Sequence, residues 1–427
     1  MAMLESLRNS LRLPGLRNRL LFTAAMLIVL RLGSHIPVPG VHLDIVRKML
    51  DQGGFLGLVD LFSGGAFKNL ALFAMSVTPY INSSIIMQLL TIVIPRLEEM
   101  QKEGEDGRKK IQQYVRYGTV VLGLVQAFGI SYYLKASGAF IHNNWGTLIV
   151  IMISLTAGTA FLMWLGEMIT ERGIGNGMSI IIFAGIVARL PSAVSSSIQL
   201  LRVKEINVFQ VGLLLIIAVV IIAGVILITE GVRKIPVEYA KRVVGKRVYG
   251  GQRTHLPMKI NQAGVIPIIF AQSLLYLPYT ISTWLSPTNP FAVFTGRYLT
   301  SSSPYFWIGN ALLIVFFTYF YTAVTFNPDQ VADNLKKNGG FIPGYRPGKP
   351  TSEFLARVSE RLTLLGSLFL AMIAVLPGML AVIFPKYQAA TSLGGTSILI
   401  VVSVALETMK QIEAQLVMRH YQGFMRS

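Results

Sequence analysis

Long apolar runs and short charged loops alternate along the chain, and the runs have the length that membrane-crossing helices require. A helix needs about 20 apolar residues to traverse the hydrocarbon of a bilayer. Ten segments approach that length, near 20–37, 71–94, 115–134, 147–169, 176–194, 208–230, 262–285, 305–326, 363–384 and 395–418. Charge then orients them. Of the 38 Lys and Arg, 28 lie in the stretch up to residue 19, the loops near 95–116, 170–176, 231–262 and 327–362, and the tail from 410. The alternate loops, near 38–70, 135–146, 190–207, 286–304 and 385–394, hold 8, leaving Arg31 and Arg189 inside or at the edge of apolar segments. Positive charge is retained on the cytoplasmic side, so both termini are expected there. The first run precedes Pro37-Val38-Pro39-Gly40 and shows no small-residue cleavage site, which predicts a retained helix.

An odd number of spans in each half inverts the second half. Ten spans divide into a first half at 20–194 and a second at 195–418, flanked by a cytoplasmic stretch at 1–19 and a tail at 419–427. In the 1–19 stretch Met3, Leu4, Leu7 and Leu11 form one helical stripe beside Arg8 and Arg12, as expected of a helix lying in the interface. Spans two and seven occupy corresponding places and both are interrupted, at Ser76 to Ser84 around Pro79 and at Asn261 to Pro267. Proline frees a backbone carbonyl, which in hydrocarbon needs a polar neighbour or a wet cavity, and paired interrupted helices mark the working site of many transport proteins. The external stretch Val41 to Asn69 contains an apolar run, Phe55 to Phe62, too short to cross and punctuated by Gly53, Gly54, Gly57, Gly64 and Gly65. It reads either as a re-entrant segment or as an interfacial helix.

Composition removes most chemistry. The chain has 427 residues, 53% hydrophobic and 14% charged, and no cysteine, so disulfides, thiolate metal sites and cysteine nucleophiles are excluded. His35, His42, His142, His255 and His420 avoid the span centres and form no metal-ligand spacing with carboxylates. Gly173, Gly175 and Gly177 lack the preceding strand of a nucleotide loop and read as a tight turn between spans four and five. No catalytic site, cofactor or metal is expected, and the protein is not read as an enzyme. Span centres are nearly uncharged: Glu167, Glu230 and Glu407 lie toward cytoplasmic ends, and Arg31 can snorkel outward. Ion-coupled transport, which usually places a charge at mid-membrane, stays as the alternative. A membrane scaffold that only docks ribosomes is a third reading.

Much of the net charge of +18 follows from membrane orientation. Local excess is more informative. Loop 231–262 sets Arg233, Lys234, Lys241, Arg242, Lys246, Arg247, Arg253 and Lys259 against Glu238 alone, a basic finger suited to phosphates or to an acidic protein face. Loop 327–362 holds Arg346 in the turn Pro343-Gly344-Tyr345-Arg346-Pro347-Gly348, which would present one guanidinium at a set angle.

Along nearly its whole length the chain resembles the SecY family, the central subunit of the bacterial protein-conducting channel. The resemblance is carried by Pro37-Val38-Pro39-Gly40, Phe62-Ser63-Gly64-Gly65, Pro79-Tyr80-Ile81, Ile174-Gly175-Asn176-Gly177, Tyr239-Ala240-Lys241-Arg242, Thr254-His255-Leu256-Pro257, Ala263-Gly264-Val265-Ile266-Pro267 and Ala332-Asp333-Asn334-Leu335-Lys336-Lys337. It implies an all-α polytopic membrane protein, ten transmembrane helices in two inverted five-helix halves around a central pore. That pore would pass unfolded secretory polypeptides and release hydrophobic segments sideways between spans two/three and seven/eight. Matched residue by residue, the pore ring would be Val77, Ile81, Met178, Ile182, Ile269 and Ile400. The plug would be Leu61, Phe62, Ser63, Gly64, Gly65, Ala66 and Phe67. Lateral-gate positions fall on Asn82, Gln126 and Leu277, the last departing from the family's polar residue. Lys246, Arg247 and Arg346 would contact the motor or the ribosome. Implied partners are SecE and SecG, the SecA ATPase motor, the ribosome and its RNA, signal sequences and nascent chains, lipids, and further SecDF and YidC. The implied location is the bacterial cytoplasmic membrane.

The physics of such a ring is independent of the family. A polar chain cannot cross lipid, since each unsatisfied peptide group costs several kcal/mol and each central Arg or Lys about 2.5 to 3.5 kcal/mol. An open aqueous path would leak ions. Flexible aliphatic side chains close around whatever passes and exclude water when nothing does.

Overall fold

The computed structural model describes residues 14–51, 60, 63–203, 207–239, 242–244, 247–249, 253–282, 289–299, 303–383 and 395–424. Helices dominate: α1 Pro14–Gly33, α2 Leu43–Asp51, α3 Thr78–Val93, α4 Pro95–Lys102, α5 Glu105–Ala136, α6 Trp145–Arg172, α7 Gly177–Arg202 and α8 Val208–Glu230. After two hairpin strand pairs follow α9 Ile266–Ser282, α10 Pro290–Tyr298, α11 Pro304–Thr325, α12 Pro328–Lys337, α13 Lys349–Ile383 and α14 Gly395–Phe424. Eight of these fourteen helices carry Pro in their first or second position. Proline suits that place because its fixed φ fits the helix and its missing N–H would have been unpaired anyway. Asn caps several other starts, as at Asn176 and Asn207.

Each of the ten apolar runs falls on a helix, but their lengths differ. Among the described residues six helices are long and apolar enough to cross a membrane, or seven if α3 and α4 are one bent span. These two helices meet at 101°. α4, the sequence Pro95 to Lys102, buries no residue and carries Arg96, Glu98, Glu99 and Lys102, which makes it far more polar than α3. Residues 1–13 of the expected interfacial helix lie outside the described residues, and from Pro14 the chain is already in α1.

The expectation of an all-α chain needs correction in the loops. Loop 231–262 is a β-hairpin: β1 Val232–Tyr239 pairs antiparallel with β4 Arg253–Lys259, from Val232↔Lys259 to Glu238↔Arg253. Nearer the tip β2 Arg242–Val244 pairs with β3 Arg247–Tyr249. The second loop joins this sheet through β5 Gly340–Phe341, which pairs with Tyr239 and Glu238. A small core of Ile235, Val237, Met258, Ile342, Leu355, Val358 and Leu362 lies between sheet and α13. The two basic loops are therefore one body.

Helix packing runs mostly within α1–α7 and within α8–α14. The two groups meet where α9 touches α3 and α5 and where α7 touches α14. Glycine permits a close approach here: a Cβ at Gly177 would lie 1.8 Å from the Gly166 carbonyl oxygen, so α6 and α7 close on each other only with glycine there. Gly177→Ala is expected to destabilise the protein by about 1–3 kcal/mol through overpacking. Gly212→Ala, whose methyl would meet nothing within 4 Å, serves as the control. The thermal midpoint in detergent reads the difference.

Candidate channel constriction and seal

Helix starts place the apolar residues at the junction of the two groups. α3 begins at Thr78-Pro79 and α9 at Ile266-Pro267, each after a valine and with an isoleucine one turn on. In one, Ile81 N donates to Val77 O at 3.0 Å; in the other, Ile269 N donates to Val265 O at 3.3 Å. The same V-x-P-x-I pattern thus builds both turns, a repeat that sequence reading located only as two interruptions. α7 supplies a third pair, Met178 and Ile182, on one helix face. Asn176 caps that start, its side chain accepting from Met178 N at 3.1 Å and Ser179 N at 3.2 Å.

The six ring candidates fall in a single apolar cluster. Val77, Met178, Ile182 and Ile400 are buried there, and Ile81 and Ile269 are half-buried against it, together with Val265, Val401 and Val404. The six come from the start of α3 and from α7, α9 and α14, and α1 and α6 add further apolar residues to the same cluster, among them Leu30, Leu162 and Ile169. Span two was expected from residue 71, yet its helix starts at Thr78. Pro79 accounts for this, since a helix running through it would clash with the Met75 carbonyl. Residues 64–77 form successive turns instead, with Leu70 and Ser76 at φ 37° and 52°. Gly158 makes room for them, because a Cβ there would meet the Leu72 oxygen at 1.9 Å.

Of the expected plug, Leu61 and Phe62 lie outside the described residues; Phe67 packs in the cluster shared by α2, α5 and α6, and Ser63 and Gly64 line a small cavity with Leu30, Phe73, Leu162 and Ile181. Ser63, Gly64, Ala66 and Phe67 are buried. Asp60, also buried, organises the segment: its Oδ1 accepts from Lys68 N at 2.9 Å, and its carbonyl accepts from Ser63 Oγ and Gly65 N at 3.1 Å each. Arg189 Nη1 lies 3.4 Å from Asp60 Oδ2. Burial pushes the Asp60 carboxyl above its ordinary value, and the Arg189 charge opposes that shift. Arg31 Nη1 donates to Gly64 O at 3.2 Å, so this arginine turns inward to the segment rather than only snorkelling outward.

The residues match a known family along most of the chain. The SecY family model matches residues 71–409. The chain belongs to the SecY family. Protein translocase subunit SecY of Halalkalibacterium halodurans is 47% identical over 99% of this chain and 100% of its own length. Its namesake from Streptomyces griseus is 45% identical with the same coverage. Among solved structures, one described as a protein conducting channel aligns with TM-score 0.66 at 19% identity, covering 94% of this chain and 93% of that one. Sec61 in the canine ribosome-channel complex aligns with TM-score 0.63 at 19% identity, over 94% of this chain and 93% of its own. These two share the fold.

In this SecY-family chain the gate candidates sit on neighbouring helices. Asn82 on α3 is buried with its Oδ1 unpaired among the described groups, and Gln126 on α5 is half-buried. Leu277 lies in α9, and its side chain is outside the described set. Ser83 Oγ ties α3 to α5 by donating to Val115 O at 2.8 Å. A polar network unseen in the sequence joins three spans: Gln112 Nε2 donates to Tyr80 Oη at 3.0 Å and approaches Glu167 Oε1 at 3.4 Å, and Arg116 Nε meets the same oxygen at 2.7 Å. Helical spacing of Gln112 and Arg116 was its only sequence signal.

On the loops, Lys246 is outside the described residues and Arg247 opens β3 opposite Val244. Arg346 is exposed, in a turn fixed by Tyr345 N to Ile342 O at 3.0 Å, by Thr351 Oγ1 to Arg346 O at 2.8 Å and by Tyr345 stacked on Phe354 at 4.2 Å. Gly344 and Gly348, at φ 87° and 101°, supply the left-handed backbone. Asn176→Ala is expected to lower stability by roughly 1 kcal/mol through the lost cap. Asn144→Ala, at a start whose side chain makes no cap bond, should cost less when thermal midpoints are compared.

Proposed function

We infer that the chain is the channel subunit of a protein translocase. What carries this reading is the match to SecY relatives along 99% of the chain, and it is supported by six aliphatic side chains from the start of α3 and from α7, α9 and α14 that share one apolar cluster, with Ser63 and Gly64 lining a cavity beside Phe73, Leu162 and Ile181 of that cluster. In the proposal the ten helices form two inverted five-helix halves, 20–194 and 195–418, and the cluster is the ring through which an unfolded chain passes. The aliphatic groups hold no fixed charge on which a substrate could stall, and they exclude water when empty. The segment around 61–67 is the plug that completes the seal. Where α3 meets α9 the halves part, and an apolar signal segment leaves into lipid, gaining roughly 0.3 to 0.6 kcal/mol per Leu, Ile, Phe or Val.

The channel supplies no driving force itself. Energy comes from a SecA motor or a ribosome docked on the joined basic loops, with Lys246, Arg247 and Arg346 in the contact. The ribosome-channel complex of canine Sec61 and the idle yeast Ssh1 complex on the 80S ribosome support a ribosome partner. SecE and SecG are the proposed companion subunits, SecDF and YidC further ones, and the bacterial cytoplasmic membrane with both termini inside is the proposed location. The transporter alternative gains no support from the SecY relatives or the family match.

Two measurements test ring and plug. Ile400→Asn puts an amide into the buried cluster and is expected to permit export of precursors with defective signal sequences. Unchanged selectivity would count against the ring. Deletion of residues 61–67 is expected to raise the resting ion conductance of reconstituted vesicles, and an unaltered conductance would remove the plug from the account.

A further inference from the structure

We propose that Asp60 and Arg189, seconded by Arg31, form a latch that holds the 60–67 segment in the closed channel and sets how strong a signal sequence must be to open it. The inference rests on the plug reading above. Among the described residues, Asp60 and 63–68 are tied to one another through Asp60, Ser63 and Lys68. The described polar side chains that tie this knot to the helices are Arg189 from α7 and Arg31 from α1. Both arginines lie within apolar runs, where a cation is costly unless it is paired.

The pair has the features of a releasable contact. Asp60 is 6% exposed at its side chain and Arg189 27%, so the charges attract with little screening. Yet the approach is 3.4 Å, and Arg189 Nη1 makes no aligned hydrogen bond although it is buried. A charge pair without hydrogen-bond geometry holds position while giving back less on rupture than a bidentate one. Gly64 seats the segment, since a Cβ there would lie 2.8 Å from the Gly185 Cα. Ala184, Gly185 and Ala188 of α7 line a small cavity with Arg31, Ser63 and Gly64, so small residues of α7 face the segment there, beside Ile181. Because α7 also carries Met178 and Ile182, the latch links the segment to the helix that supplies two ring residues.

Removing one member of a buried pair leaves an uncompensated charge, whereas removing both does not. This makes the latch separable from general destabilisation. Asp60→Asn keeps an oxygen that can accept from Lys68 N and deletes only the charge, and Arg189→Gln does the same from α7. The chain has no cysteine, so Ala66→Cys, at a buried site, adds a single reporter for a membrane-impermeant maleimide applied outside vesicles carrying the assembled channel. Each neutralisation is expected to accelerate labelling by about tenfold or more and to raise export of a precursor with a charge in its signal core comparably. The double variant should exceed neither single one. Unchanged labelling in both single variants, or a double variant equal to the product of the two, would overturn the latch. If one single variant fails to accumulate, the double variant against the other decides: labelling no faster supports the latch, and a multiplied rate overturns it. Deletion of 61–67 runs alongside on ion conductance. If that deletion changes nothing the plug reading itself falls, and if it raises conductance while the neutralisations stay silent only the latch falls.

Discussion

A helix that starts inside an apolar interior leaves up to four amide N–H groups without intrahelical partners, and this constraint organises the centre of the molecule. α3 and α9 start beside the central cluster at Thr78-Pro79 and Ile266-Pro267, where proline removes one of those donors. α7 starts at Gly177 under the Asn176 side chain, which accepts from two more. Each start projects a pair of aliphatic residues from its first turns. The backbone requirement and the aliphatic lining are thus met by the same short segments, and the segments stay where neighbouring protein, not lipid, surrounds them.

The same requirement explains why residues 64–77 are not helical despite their apolar sequence. With Pro79 fixing the start of α3, the preceding residues turn back through Leu70 and Ser76 in left-handed conformations and pack against Gly158. A short buried segment then remains next to the cluster. Its polar groups are matched by Asp60, Ser63 and two arginines, so its burial leaves few unmet hydrogen bonds.

Hydropathy and charge made the helices legible, since every apolar run landed on one. Among the described residues six helices, or seven if α3 and α4 are one span, are long and apolar enough by themselves, and the count of ten rests on hydropathy and charge along the sequence. The start of span two was misjudged because hydropathy does not register backbone direction at Pro79. The β-hairpin went unread although Val232, Ile235 and Val237 belong to a strand pattern, because the charges of that loop dominated the reading. Arg31 and Arg189 stood out as misplaced cations. Their partners, Gly64 O and Asp60, are 33 and 129 positions away and carry no local signal. The six ring residues were named through family resemblance, and aliphatics in a membrane bundle look alike in sequence; they share their cluster with apolar residues of α1 and α6, so it is the resemblance that singles them out.

The central claim is that polypeptide passes through that cluster. Site-specific crosslinking from Ile81 and Ile269, in reconstituted vesicles holding a stalled secretory chain, tests it most directly. The account predicts crosslinks from both positions that disappear when the chain is released. Efficient crosslinking from Arg247 on the hairpin with none from Ile81 or Ile269 would contradict it and leave a docking surface without a channel.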